Sequence, residues 1–223
     1  MVRSRISPSR RAFMESDRPC LDIKDVGRNR VNCSDGGDRI SALPDDILLN
    51  ILQCLDLRTA VRAGAMARRW RRLPCMLPDL DMDVATMVPH HRLNFSLDCV
   101  MARYTNSVKW FLLPTHHRTS LRFAFYLAEV DPCLRSIGGA IAATPADRLE
   151  LTVRTAYDVE FAEYGQRFAS FLAACPTAFA RLTTITLQDF VFTTGSEIAA
   201  LLDACHSLEL LSLTKCRCRA SVA

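Results

Sequence analysis

The stretch SALPDDILLNILQCLDLRTAVRAGAMARRWRRL, Ser41 to Leu73, runs a leucine-rich half directly into an arginine-rich half, with one tryptophan among the arginines. Its first apolar positions, Leu43, Ile47, Leu48, Ile51, Leu52 and Leu55, fall on one face of an α-helix. Pro44 suits the first helical turn, where no amide partner is lost, and Asp45 and Asp46 sit at the positive end of the helix dipole. Asp56 to Thr59 interrupts the pattern. A second periodic run follows through Ala60, Val61, Ala63, Met66, Ala67, Trp70 and Leu73, with Gly64 as a joint, because glycine inside a helix costs ~1 kcal/mol relative to alanine. The segment is therefore expected to hold about three helices, the last carrying Arg68, Arg69, Arg71 and Arg72 around Trp70. The first helix carries Leu43, Ile47, Ile51 and Leu55 on one ridge, with Leu48, Leu49 and Leu52 beside it. That arc is too wide for a unit of ~40 residues to cover by itself, so part of it should meet a partner.

The residues LPDDILLNILQCLDL and RRWRRL resemble an F-box: an LP dipeptide, acids, a leucine/isoleucine helix and an R-W-R ending. The likeness spans Ser41 to Leu80, with two departures, Asp56 where the family often has proline and Thr59 where it often has an acid. The resemblance implies docking to a Skp-type adaptor and, through it, to a cullin in a ubiquitin ligase. It assigns Leu43, Pro44, Ile47, Leu48, Ile51, Leu52, Leu55 and Trp70 to the adaptor interface or its immediate support.

Beyond Met76 the signal changes period. Leu80, Met82 and Val84 alternate as in a strand. Phe123-x-Phe125-x-Leu127 recurs as Leu149-x-Leu151-x-Val153, and Leu182-x-x-Ile185-x-Leu187-x-x-Phe190 recurs as Leu208-x-x-Leu211-x-Leu213-x-x-Cys216, both read at an offset of 26. Fixed self-similarity of this kind marks a repeat architecture, and the last pair follows the leucine-rich-repeat frame. Helical patterns lie between the strands, at Leu134, Ile137 and Ile141, at Phe161, Tyr164, Phe168, Phe171 and Leu172, and at Ile198, Leu201, Leu202 and Cys205. A longer interval between the second and third repeats predicts an inserted loop near Thr155 to Asp158 or a lengthened helix. The fold class expected is α+β: a three-helix F-box over 38–80, then a short α/β leucine-rich-repeat solenoid over 81–223, after a disordered basic tail at 1–37. The combination resembles the plant F-box/LRR family. No amphipathic helix follows Leu213, so the last repeat is expected to be uncapped.

Composition narrows the function. The net charge of +4 is supplied by the first thirty residues, where eight Arg or Lys face four acids, so the remaining chain is near neutral, which argues against an extended phosphate-tracking face, since such faces need several clustered cations. Nucleic-acid binding is therefore disfavoured. Ten cysteines without regular spacing or a CxxC pair read as reduced thiols, and no metal site or cofactor is expected. No apolar run reaches the ~18 residues of a membrane span. Glycine-rich phosphate loops, HExxH and GxSxG are absent from the sequence. His90-His91 and His116-His117 are adjacent pairs whose side chains diverge, so they read as loop residues. The expected function is a non-catalytic subunit of a ubiquitin ligase, acting in the nucleus, the cytoplasm or both. The helices would hold the adaptor and the repeats an unidentified protein substrate. The alternative is a truncated F-box competitor or non-functional product that binds the adaptor without delivering a substrate.

Overall fold

A computed structural model describes residues 40, 42–88, 96–113, 116–127, 132–154, 161–192 and 195–218. The basic tail, His90 and His91, and the loop expected at Thr155 to Asp158 lie outside them. Three short helices come first: α1 (Asp45–Gln53), α2 (Leu57–Gly64) and a 3₁₀ helix (Arg69–Met76). The third was expected as an ordinary helix end. It is 3₁₀ because Pro74 lies inside it and has no amide to donate to an i−4 carbonyl. Gly64 closes α2 against this segment: a Cβ there would lie 3.0 Å from the Trp70 carbonyl oxygen and 3.3 Å from Pro74 Cγ.

The rest alternates strand and helix: β1 (Asp79–Asp83), α3 (Val84–Met87), α4 (Leu97–Leu112), β2 (Arg118–Tyr126), α5 (Pro132–Ala143), β3 (Ala146–Arg154), α6 (Phe161–Ala174), α7 (Pro176–Phe179), β4 (Thr184–Gln188), β5 (Val191–Phe192), α8 (Ser196–Ala204), β6 (Leu210–Thr214) and β7 (Arg217–Cys218). Among the described residues, five strands form one all-parallel sheet in the order β1-β2-β3-β4-β6, and β5 pairs with β7 beside it. The chain thus winds in one direction, each strand being laid beside its predecessor. The helices share one face of the sheet, since α4 packs on α5, α5 on α6 and α6 on α8.

The pairing corrects one expected spacing and supports the other. Ile185 lies beside Leu211 and Leu187 beside Leu213, an offset of 26. However, Leu121 pairs with Leu149, Phe123 with Leu151 and Phe125 with Val153, an offset of 28 rather than 26. A slip of two returns every side chain to the same face, so the apolar alternation alone cannot distinguish the two registers. From β3 to β4 the offset is 34, as Leu151 meets Ile185, and α7 accounts for part of the added length.

One continuous core runs from Leu48 and Leu52 in α1 through Tyr104, Phe111, Phe125 and Phe171 to Leu201. Aromatic side chains dominate its middle, where Phe171 meets Phe125 and Phe179 edge-on, with ring centroids 5.9 Å and 5.1 Å apart. Tyr104, fully buried on α4, donates its hydroxyl to the Met82 carbonyl of β1 at 2.8 Å, and burial pushes its pKa well up. The eight described cysteines are free thiols, and burial raises Cys75 to about 12 and Cys205 to about 11, which keeps them protonated. No described helix is long and apolar enough to cross a membrane, and no three His, Cys, Asp or Glu side chains among the described residues are grouped to hold a metal.

Candidate functional site

Helix α1 divides its apolar residues between two faces. Leu48 and Leu52 are fully buried, packing into the core, and Leu43 and Leu49 pack against it partly buried. Ile47, Ile51 and Leu55, spaced at four residues, remain 41%, 40% and 38% exposed. Side chains four apart stack on one helical face, so Ile47 and Ile51 make an apolar ridge on α1, and Leu55, two residues past the end of the helix, leaves a third aliphatic side chain exposed beyond it. Pro44 is exposed just ahead of it, and Ile40 is exposed as well. Of the eight residues assigned to docking from the sequence, Pro44, Ile47, Ile51 and Leu55 therefore stand on the surface. Leu48 and Leu52 sit beneath them as support. Trp70 is partly buried against the core, and its indole Nε1–H is buried without a hydrogen-bond partner among the described residues.

Polar contacts hold the ridge in place. Arg69 donates to Asp45 Oδ1 through Nε at 3.0 Å and through a terminal nitrogen at 2.7 Å, joining the start of α1 to the start of the 3₁₀ helix. Both side chains are about half exposed, so the pair is worth at most ~1 kcal/mol, but it fixes orientation. The two departures from the F-box pattern turn out to be one device. Asp56 is the N-cap of α2, its Oδ1 accepting from the Thr59 amide at 2.9 Å, while the Thr59 hydroxyl donates to Asp56 Oδ2 at 2.7 Å. These bonds hold the Asp56 carboxyl below its usual range. The spacing D-x-x-T ahead of an apolar run is a capping signal legible in the sequence.

A second surface lies on the sheet face away from the helices. Across β1, β2, β3, β4 and β6 one row reads Asp81, Arg122, Glu150, Thr184, Leu210, and the next reads Asp83, Ala124, Thr152, Thr186, Ser212. Arg122 bridges its neighbours, with Nε 3.0 Å from Glu150 and a terminal nitrogen 3.8 Å from Asp81. Arg154 reaches diagonally over the small Ala124 to Asp83 at 2.9 Å. Burial pushes the Asp81 carboxyl up against the pull of Arg122, but its side chain is 62% exposed, so water screens the effect. The face thus changes from charged on β1–β3 to hydroxyl and apolar on β4 and β6. A groove of about 1020 Å³ runs along it, walled on one side by Leu55 and Asp56 of the α1–α2 turn and Arg58 of α2 and on the other by strand residues including Asp79 and Arg122. Sequence reading did not single out these open-face residues, although their period-2 complement, the buried strand positions, was plain.

Comparison with known proteins finds likeness in the helical segment that carries α1. The F-box-like family model matches residues 40–75. A putative F-box/LRR-repeat protein of Arabidopsis thaliana is 26% identical over 221 residues, covering 94% of this chain and 42% of its own length. A putative FBD-associated F-box protein of the same plant is 38% identical over 64 residues, 29% of this chain and 15% of that protein. An F-box/FBD/LRR-repeat protein, also from Arabidopsis thaliana, is 48% identical over 46 residues, 21% and 10% of the respective lengths. The chain spans less than half the length of these relatives. No solved structure matches.

Proposed function

We propose that this chain, which carries an F-box-like domain over residues 40–75, is a target-recognition subunit of a Skp–cullin–F-box ubiquitin ligase. In this reading it catalyses nothing itself. The Ile47–Ile51–Leu55 ridge docks the Skp-type adaptor, which links the chain to a cullin, and the open sheet face holds the protein to be modified. The strands and helices of 79–218 are then irregular leucine-rich repeats forming a short solenoid, each repeat burying its apolar side against its neighbour. The observation that carries the reading is the division of α1. Two of its leucines are wholly consumed by the core while Ile47 and Ile51 on α1 and Leu55 just past its end stay on the surface of the segment that matches the F-box-like family model. Such a ridge favours an apolar groove on a partner.

Left-handed backbone supports the repeat reading. Asp189 (φ 57°) and Lys215 (φ 54°) follow β4 and β6 at equivalent places, 26 residues apart. The Asp189 amide donates to the Thr214 carbonyl at 2.9 Å, and the Arg217 amide to the Phe190 carbonyl at 2.8 Å, so each repeat is tied to the next at the same turn. The test is co-purification of the full chain with a Skp-type adaptor. Ile47→Asp with Ile51→Asp places two carboxylates on the ridge without touching the core and should abolish capture. Full capture by a folded double variant sinks the assignment.

A further inference from the structure

Arg118, the first residue of β2, is fully buried, and its guanidinium faces backbone carbonyls rather than a carboxylate. One terminal nitrogen donates to the Leu77 carbonyl; the other donates to the Cys75 carbonyl at 2.5 Å and the Phe111 carbonyl at 3.3 Å. Nε has no partner among the described residues. Cys75 and Leu77 are at the end of the 3₁₀ helix, and Cys75 is the last residue of the F-box-like match. Phe111 is in the last turn of α4, the first long helix of the repeat half. A helix leaves its last carbonyls unbonded and carries partial negative charge at that end, so two helix ends converging on one guanidinium supply both its acceptors and its counter-charge. Burial of a cation with no carboxylate partner is otherwise unfavourable, and burial does lower the Arg118 pKa.

The joint continues through the backbone. The Thr119 and Ser120 amides donate to the Pro78 carbonyl at 2.9 Å and 3.3 Å, and the Arg118 amide to the Pro145 carbonyl at 3.0 Å. A similar stitch recurs further along, where Arg181, just before β4, donates to the Ile141 and Ala142 carbonyls at the end of α5 at 3.2 Å and 2.6 Å. Arg118 differs in that its acceptors come from both halves of the molecule.

We propose that Arg118 is the positioning residue that holds the α1 ridge at a fixed angle to the open sheet face. Resting on the function proposed above, this makes target delivery, but not adaptor docking, depend on a side chain that touches neither partner. The fixed angle matters because a target must be presented to machinery carried by other subunits, and a loose joint would spread its position.

The experiment uses the full chain carrying a donor and an acceptor dye on noncanonical residues at exposed positions 62 and 209, which leaves the native cysteines alone. Single-molecule energy transfer then reads the spread of distances between the halves, while adaptor affinity is measured on unlabelled chain. Arg118→Met keeps the length of the stem and removes the charge and donors; Arg118→Lys keeps the charge and three donors. The expected result is a narrow distribution for the wild type, a distribution at least twice as wide for Arg118→Met, and substantial narrowing for Arg118→Lys. Amide exchange at Thr119 and Ser120 should rise at least tenfold in Arg118→Met, with adaptor affinity within twofold throughout. If Arg118 merely filled space, Met would serve as well as Lys. An unchanged distribution in Arg118→Met overturns the proposal, as does a tenfold loss of adaptor affinity, or unfolding of both variants, since Arg118 would then hold the fold and not the angle. Failure of the wild-type chain to bind adaptor would overturn the proposed function instead, and the distance measurement on the free chain would still decide the joint.

Discussion

Replacing Ile47, Ile51 and Leu55 together by alanine should weaken adaptor binding by one to two orders of magnitude without unfolding the chain. The three side chains are 41%, 40% and 38% exposed, so docking has about one and a fifth side chains' worth of apolar surface left to cover. Full burial of a large aliphatic side chain is worth ~1.5–3 kcal/mol, which gives ~2–3.5 kcal/mol for the ridge. Alanine retains part of that surface, leaving a loss of ~1.5–2.5 kcal/mol, or roughly 10- to 70-fold in Kd. About three-fifths of each side chain is already covered within the folded chain, so the same substitutions also lower the melting temperature, and affinity is compared on variants that are folded at the assay temperature. Leu52→Ala is the contrasting arm. Leu52 is fully buried, and truncating such a leucine costs ~2–5 kcal/mol of folding stability. Isothermal titration against purified adaptor, alongside thermal melting, separates the two. A triple alanine variant that binds within twofold of wild type, with its helices intact, would refute the surface assigned to docking.

Other consequences are local. Asp56→Ala should destabilise the helical segment by ~1 kcal/mol through loss of the α2 cap. Because Thr59 holds the folded-state Asp56 pKa below its unfolded value, the cap's contribution is present above that unfolded value and is lost as pH falls through the folded one. Asp56→Asn should flatten that part of an acid melt, and an unchanged acid slope would contradict the cap. Gly138→Ala would drive a Cβ into Cys175 Sγ at the α5–α7 contact and should cost ~1–3 kcal/mol by denaturant melting, whereas a neutral result would mean the contact is loose. Lys215→Gly should raise stability by up to ~1 kcal/mol, since Lys215 occupies a left-handed conformation that glycine adopts without a Cβ clash; a lower melting temperature would argue against that turn.

How far the sequence revealed this molecule depends on which force writes each feature. The helices of the first segment were legible because amphipathic spacing and the Pro44-Asp45-Asp46 start are local signals. Helix α4, the longest in the described chain, was not anticipated, although Val100, Met101, Tyr104, Val108 and Phe111 lie on one face and Ser96 caps it. The 26-residue spacing of β4 and β6 was found, while that of β2 and β3 was misplaced by two, a slip that alternation cannot detect. Arg118 left no trace at all. An arginine opening a strand looks solvated, and only the meeting of two helix ends, one 43 residues before it and the other seven, makes it an interior residue.

The α1 ridge itself shows what a sequence can and cannot say about a docking site. The apolar spacing in and beside α1 supplies more apolar surface than a small helical unit can bury, and Ile47, Ile51 and Leu55 are exposed among the described residues. It could not say which leucines the molecule would keep for itself. Leu48 and Leu52 go to the core, and the 3₁₀ helix, which contains Pro74 and is tied to Asp45 through Arg69, packs on α1. Leu55 also walls the groove along the open sheet face, so the end of the ridge and the start of the second surface share a residue. Partners on the two surfaces would therefore lie side by side, and the angle between them becomes a property of the joint beneath, where a single guanidinium links both halves.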